Sequence, residues 1–203
     1  MVYKTAGYGC GRVIEKMDET KKRAIFKNNM SKKDGVWFAV GVLAAAVIAV
    51  LDIFIKQIIK DKVNFNGEIV VIKKFFSITH VRNTGAAWGI FSSATDILSI
   101  VTIIASVLML YVIYASTVNK MTMLCFSSVL GGAVGNLIER MHAGYVTDFL
   151  SFNIFGYHFP HFNFADICIT VGCIMLLAYV FFIHKKNTPY FRDGTIALRI
   201  FGE

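Results

Sequence analysis

The chain has 203 residues, of which 56% are hydrophobic and only 17% charged, and its formal net charge is +8. A soluble domain carries about a quarter charged residues, and the mean hydropathy here is +0.59. Such an apolar composition excludes a disordered chain, and four cysteines are too few for a disulfide scaffold. The composition therefore predicts a small integral membrane protein.

Four apolar runs follow one another along the chain, at residues 36–55, 97–118, 121–138 and 164–183. A helix needs about 20 apolar residues to cross roughly 30 Å of hydrocarbon. None of the runs shows the alternation of an outer-membrane barrel strand. The predicted fold class is an all-α membrane protein with four transmembrane helices in a domain of residues 36–184.

The charges at the two ends predict the orientation. Residues 1–35 hold nine Lys or Arg against four Asp or Glu, and the fourth run is followed by His184-Lys185-Lys186. Basic flanks stay in the cytoplasm, so residues 1–35 and 185–203 are predicted to be a cytoplasmic extension and tail. We expect the extension to contact anionic membrane lipids. This placement accounts for the basic excess, and no nucleic-acid partner is expected.

Two segments are predicted to lie on the outer face, at residues 60–93 and 143–163. The first contains β-branched and aromatic runs that are typical of strands, and the second is an aromatic-rich loop. We expect the aromatic side chains of the loop to sit in the headgroup belt.

Ionisable side chains inside the spans need a physical reason, because each costs about 2.5 to 3.5 kcal/mol to insert. Asp52 and Lys56 are four residues apart on one helix face, and by themselves they are interpreted as a structural pair that snorkels to the interface. In the third run, Gly132, Asn136 and Arg140 recur every four residues on one face. Close helix packing explains the glycine, but it does not explain Asn136 and Arg140 on the same face.

Two aspartates follow this stripe. Asp148 lies eight residues beyond Arg140, and Asp166 opens the fourth run. Helices three and four are antiparallel, so both carboxylates are able to meet at the outer interface. Two close carboxylates share one proton and act as base and acid, as in aspartic proteases. The alternative is that Asp166 only caps its helix and Asp148 is solvated in a loop.

Other proteolytic chemistries find no support in the sequence. There is no H-E-x-x-H zinc motif and no G-x-S-x-G elbow. His158 and His161 flank Pro160 without an acidic neighbour, so no metal ligand is assigned. A carboxylate dyad needs no metal or organic cofactor, and none is expected.

At this point the sequence resembles the bacterial lipoprotein signal peptidases (signal peptidase II, prolipoprotein signal peptidase), over about residues 36–184. The resemblance rests on four blocks in order, which are Asp52-Ile53-Phe54-Ile55-Lys56, Asn83-Thr84-Gly85-Ala86-Ala87-Trp88-Gly89, Gly131 to Arg140 with Val146-Thr147-Asp148-Phe149, and Phe162-Asn163-Phe164-Ala165-Asp166. Glu139 stands where the family is expected to have Asp.

The resemblance implies an intramembrane aspartic endopeptidase of the bacterial cytoplasmic (inner) membrane. It would cleave the signal peptide from diacylglyceryl-modified prolipoproteins, just before the lipidated cysteine, at the outer face. Asp148 and Asp166 would be catalytic, with Asp52 and Lys56 as structural support. Substrate positioning would fall to Asn83, Asn136, Arg140, Asn163 and, on the glycine face along which the signal peptide is expected to lie, Gly132. Residues 60–93 would form a small extracytoplasmic β-cradle, and the enzyme is expected to be a monomer.

Two other classes of function stay open at this level. A small proton-coupled membrane transporter also needs intramembrane charges, but these would lie near the midplane and often in inverted repeats. A noncatalytic membrane-anchored binding module leaves the Asn136 and Arg140 stripe and the second aspartate unexplained.

Overall fold

The structure is a computed structural model that describes residues 32–85, 95–115 and 120–183. Most of the predicted cytoplasmic extension, residues 86–94 of the predicted cradle, and the whole predicted tail lie outside the described residues.

Four long helices dominate the described part of the chain. They are α1 (Lys32–Lys62), α2 (Thr95–Ala115), α3 (Lys120–Ala143) and α4 (Phe164–Ala178), the last continued by a π-helical turn at Tyr179–Ile183. Each of them, α4 together with its π-helical turn, contains a segment long and apolar enough to cross a membrane. The predicted four-helix membrane fold is confirmed.

Helix α1 is longer than its apolar run predicts, because it continues through Lys56 and Lys60 to Lys62. The first two cations pair with carboxylates of the helix bundle, so the charges do not end the helix. Residues 60–62 therefore belong to α1 and not to the predicted cradle.

Helix α3 packs against α1, α2 and α4, and its glycines allow the close approach. A Cβ atom added at Gly132 would lie 2.5 Å from the backbone oxygen of Ala165, and one at Gly131 would lie 2.6 Å from that of Ala45. The glycine face is covered by α1 and α4. The expectation that Gly132 and this face receive substrate is therefore wrong, and Gly132 serves helix packing.

The chain also forms a four-stranded antiparallel sheet, with the strands in the order β1 (Glu68–Ile72), β2 (Phe76–Asn83), β3 (Val146–Ile154) and β4 (Tyr157–His158). The first two strands follow α1 along the chain, and the last two follow α3. The predicted cradle is confirmed as a sheet. However, the segment predicted as an outer loop supplies two of its strands, because the residues of β3 pair along the whole of β2.

A β-bulge sets the register at the centre of the sheet. Ile78 pairs with Leu150 and Val81 with Asp148, so two residues of β2 face one residue of β3. The bulged His80 is buried, and its ring Nδ1 lies 2.9 Å from the backbone oxygen of Val63 at the end of α1. The bulge thereby joins the sheet to the helix bundle.

Candidate active site

Asp148 lies in β3 with only 2% of its surface exposed. Its Oδ1 accepts a hydrogen bond from Asn163 Nδ2 at 2.7 Å, and its Oδ2 accepts one from Asn83 Nδ2 at 2.9 Å. The alternative of a solvated loop carboxylate is therefore wrong. Burial raises the pKa of Asp148 to about 6, and the charge of Asp166 adds to the rise while the two amides oppose it.

Asp166 occupies the third position of α4 and forms a capping box with Asn163. Its Oδ2 accepts from the backbone N–H of Asn163 at 3.1 Å, and Asn163 Oδ1 accepts from the backbone N–H of Asp166 at 3.1 Å. The predicted cap is thus present. The second oxygen, Oδ1, accepts from Asn136 Nδ2 at 2.9 Å, so capping and participation in a polar site occur together.

A β-bridge brings the two aspartates to one place. Phe162 pairs with Leu150 of β3, and Phe162 N–H donates to the Leu150 carbonyl at 3.2 Å. The next residue, Asn163, is the N-cap of α4 and therefore lies directly beside Asp148. One asparagine donates its side-chain amide to Asp148 and its backbone amide to Asp166.

The side-chain amides of Asn83, Asn136 and Asn163 each have a determined orientation, because each amide oxygen accepts a hydrogen bond. Asn83 Oδ1 accepts from the Gly85 N–H at 3.0 Å, and Asn136 Oδ1 accepts from the Lys56 ammonium at 2.6 Å. Asn163 Oδ1 accepts from the Asp166 N–H. Because an ammonium and a backbone N–H can only donate, each NH₂ group is directed at an aspartate oxygen.

Asp52 and Lys56 are buried, with 0% and 1% of their surface exposed, and their charged atoms are 2.7 Å apart. The interpretation as a pair that snorkels to the interface is wrong, because carboxylates and an amide surround the ammonium inside the bundle. Asp52 Oδ1 also accepts from the backbone N–H of Ala165 at 2.9 Å. The pair thus contacts both Asn136 and the start of α4.

Arg140 lies one helical turn beyond Asn136 on α3 and interacts electrostatically with Asp148 and Asp166. Its Nε is buried, and the described part of the chain offers that atom no hydrogen-bond partner. A buried donor without a protein acceptor is costly. Arg140 also lines a pocket.

The pocket has a volume of about 300 Å³ and both aspartates line it. Asn83, Asn136, Arg140 and Asn163 also line it, so the structure brings all the predicted polar residues except Asp52 and Lys56 to its wall. Among the described residues, Gly85, Val146, the segment Phe159 to Phe162, Ile169 and Thr170 also line the pocket. The lining therefore combines polar side chains with apolar ones such as Val146 and Ile169.

Sequence reasoning missed three residues close to the site. Glu139 is buried and accepts hydrogen bonds from Thr147, the neighbour of Asp148 in β3, and it pairs with Lys60 at 2.5 Å. A carboxylate directly at the end of an apolar run is itself a signal of a buried partner. Nothing in the sequence identified Lys60 or Thr147 as that partner.

Comparisons with known proteins agree with this geometry. A family model described as signal peptidase (SPase) II matches residues 44–182. A lipoprotein signal peptidase of Clostridium acetobutylicum is 40% identical over 157 residues, which cover 76% of this chain and 99% of the relative. One of Staphylococcus haemolyticus is 38% identical, with 73% and 93% of the two chains covered.

Solved structures of bacterial membrane enzymes are also similar. One, determined at 2.3 Å resolution, has 35% sequence identity and a TM-score of 0.63, and the match covers 73% of this chain and 93% of that one. Another, determined at 1.9 Å resolution, has 34% identity and the same TM-score. The match of the family model over most of the transmembrane domain, together with relatives aligned over nearly their whole length, shows that this chain belongs to the signal peptidase II family.

Proposed function

We propose that Asp148 and Asp166 are the catalytic dyad with which this signal peptidase cleaves prolipoproteins. The observation that carries the proposal is a single pocket lined by two carboxylates. Each carboxylate accepts hydrogen bonds from amide groups of determined orientation. Family membership does not support the alternative of a proton-coupled transporter.

The two aspartates have different environments, which favours different protonation. Burial raises the pKa of Asp148 to about 6, so Asp148 is the member that carries the shared proton. Asp166 lies in the first turn of α4, where the helix dipole favours a negative charge. We assign Asp166 as the base and Asp148 as the acid.

The reaction then proceeds in two steps, the addition of water to the peptide carbonyl and the breakdown of the resulting diol. Asp166 takes a proton from water as the water oxygen bonds to the peptide carbonyl carbon, and Asp148 gives its proton to the carbonyl oxygen. In the second step the carbon–nitrogen bond breaks and Asp166 returns the proton to the leaving amine. Asp148 recovers a proton from the diol as the carbonyl reforms, so the dyad ends in its starting state.

The polar residues around the dyad position it and the substrate. Asn83, Asn136 and Asn163 orient the carboxylates through the bonds described above. Arg140 lines the pocket, and the fork of donors on its guanidinium is suited to a backbone carbonyl of the bound precursor. Asp52 and Lys56 support Asn136 and the start of α4 from behind.

The proposed substrate is the diacylglyceryl-modified precursor, cut just before its lipidated cysteine. α3 ends and α4 begins on one side of the bundle, and we place this side at the outer face of the bacterial cytoplasmic membrane, with both termini cytoplasmic. There the acyl chains stay in lipid while the scissile bond enters the pocket. The enzyme is proposed to act as a monomer in contact with membrane lipids.

A comparison of lipidated and unlipidated precursors tests the substrate. Each buried methylene contributes about 0.8 kcal/mol to membrane anchoring, so purified enzyme in lipid vesicles should cut the unlipidated form very poorly. The mass of the product identifies the cut bond. Equal cleavage of both forms would identify a general signal peptidase instead.

Asn substitutions test the dyad. Asp148→Asn and Asp166→Asn keep the shape but cannot exchange the proton, so each should remove nearly all turnover. The double variant should be little worse than either single variant, because the pair acts as a unit. Asp61→Asn is the matched control and should cleave normally. Asp61 is an exposed carboxylate on α1 that accepts a hydrogen bond from Gln57. Retained turnover in either single variant would contradict the assignment of that residue.

A further inference from the structure

A buried charge cluster lies behind the pocket and contacts the supports of both aspartates. It comprises Asp52, Lys56 and Lys60 of α1, Glu139 of α3 and Thr147 of β3, and we call it the Glu139 cluster. We infer that Glu139 is a positioning residue for the reaction, an inference that rests on the proposed dyad. Through Thr147 it holds the strand that carries Asp148, and through Lys56 it holds Asn136, which donates to Asp166.

The contact with Thr147 uses both carboxylate oxygens. Glu139 Oε2 accepts from the backbone N–H of Thr147 at 2.9 Å, and Oε1 accepts from the Thr147 hydroxyl at 2.6 Å. Thr147 is completely buried. Thr147 directly precedes Asp148 in β3, so these two bonds determine where the strand, and with it the acid of the dyad, lies relative to α3.

The contact with Lys56 reaches the other aspartate. The Lys56 ammonium lies 3.4 Å from Glu139 Oε2 and 2.7 Å from Asp52 Oδ2. The same ammonium donates to Asn136 Oδ1, and Asn136 donates to Asp166 Oδ1. Glu139 therefore helps to place the cation that orients the amide of Asn136.

Lys60 completes the cluster at the outer end of α1. Its ammonium lies 2.5 Å from Glu139 Oε1, and the Lys60 side chain is 27% exposed. The formal charges of Asp52, Lys56, Glu139 and Lys60 cancel, so the cluster is neutral as a whole. A lone buried carboxylate would be unfavourable, and this balance allows Glu139 to stay ionised as a double acceptor.

The charged groups that interact with Glu139 are Asp52, Lys56 and Lys60 of α1 and Arg140 of α3. From β3, Glu139 is contacted by the uncharged Thr147. The charge of Lys56 lowers the pKa of Asp148. In Glu139→Gln, one of the carboxylates that offset the Lys56 charge is lost. The positive charge of Lys56 then acts more strongly on Asp148 and lowers its pKa further.

Two pairs of variants test this inference by cleavage of a diacylglycerylated precursor peptide, with kcat and KM measured across a pH series. Thr147→Val removes the hydroxyl and keeps the shape, and we expect kcat to fall about tenfold to a hundredfold with KM little changed, as for a small misplacement of a catalytic group. Thr147→Ser keeps the hydroxyl and should retain most of the activity.

Glu139→Gln should also lower kcat, and it should move the basic limb of the pH–rate profile to lower pH, whereas Thr147→Val should leave the limb in place. A purely structural role would lower the yield of folded enzyme without moving this limb. If Glu139→Gln does not fold, the comparison of Thr147→Val with Thr147→Ser decides alone.

Equal kcat for Thr147→Val and Thr147→Ser, or an unmoved limb in folded Glu139→Gln, would overturn the inference. The wild type and Asp148→Asn measured beside them separate this from failure of the proposed dyad. An active Asp148→Asn refutes the dyad, whereas an inactive one beside fully active Thr147→Val refutes only the role of Glu139.

Discussion

Replacing Lys56 by Met should destabilise the protein strongly, because the lysine is the buried cation between two carboxylates. Its side chain is 2% exposed, and it lies 2.7 Å from Asp52 and 3.4 Å from Glu139. Breaking a buried ion pair costs about 3 to 5 kcal/mol. For a chain of this length that corresponds to a fall in Tm of roughly 6 to 20 °C.

The double variant Asp52→Asn/Lys56→Met should be more stable than Lys56→Met alone. Lys56→Met leaves the cluster with an excess charge of −1, whereas the double variant leaves only Glu139 and Lys60, which pair at 2.5 Å. An asparagine at position 52 still offers an oxygen to the backbone N–H of Ala165, which Asp52 now accepts at 2.9 Å. We expect the double variant to recover more than half of the lost free energy of unfolding.

Thermal unfolding in detergent micelles, followed by circular dichroism, measures the stability of the four members of this cycle. Cleavage measured in parallel should stay low in the double variant, since Asn136 has lost the donor that orients its amide. A double variant at least as unstable as Lys56→Met would refute the charge argument, because the two changes would then simply add.

Three further predictions concern the dyad, the pocket wall and the topology. Asn83→Ala removes a hydrogen bond that lowers the pKa of Asp148, so this pKa should rise above about 6 and the basic limb of kcat/KM should move to higher pH, as a pH series would show. Arg140→Lys should fold but lose much of its activity, because an ammonium cannot reproduce the guanidinium fork; unchanged turnover would reduce Arg140 to an interface anchor. A cysteine introduced at Asn66 should react with an impermeant label from outside the cell and one at Thr20 should not, and the reverse pattern would contradict the proposed orientation.

The pKa of Asp148 also has a consequence for stability. A carboxyl group whose pKa is about 6 in the folded protein, against a usual 3.8, binds more protons when folded than when unfolded between these values. Its contribution to the free energy of unfolding therefore decreases as pH rises from about 4 to 6. Asp148→Asn should remove that dependence, as thermal unfolding across this pH range would show. A carboxyl pKa raised by burial is typical of a functional site.

Part of the site was accessible from the sequence because it follows helical periodicity. Asn136 and Arg140 are four residues apart on α3, and this spacing alone places them on one helix face. Asp166 opens the fourth apolar run, and the antiparallel helices bring it to the same end of the bundle. Long apolar runs likewise predicted the four spans, since composition over about 20 residues decides whether a helix can cross a bilayer.

The contacts that organise the site could not be predicted in this way. Asp52 accepts from the backbone of Ala165 across 113 residues of sequence, and no local pattern encodes that pairing. The strand nature of residues 146–154 was missed because their partner, β2, lies more than 60 residues earlier. The buried state of Lys56 was missed for the same reason, as its second and third acceptors belong to α3.

The sequence by itself determined the class of protein, the four spans, the catalytic candidates and the family, because composition, periodicity and short motifs are local properties. Only the tertiary structure decided what surrounds each of these side chains. In that structure Gly132 contacts α4 and not the substrate, and Asp52 and Lys56 form a buried pair. Glu139 accepts a hydrogen bond from Thr147. The reason is that burial and hydrogen-bond partners depend on how distant segments pack, which the spacing of residues along one segment does not specify.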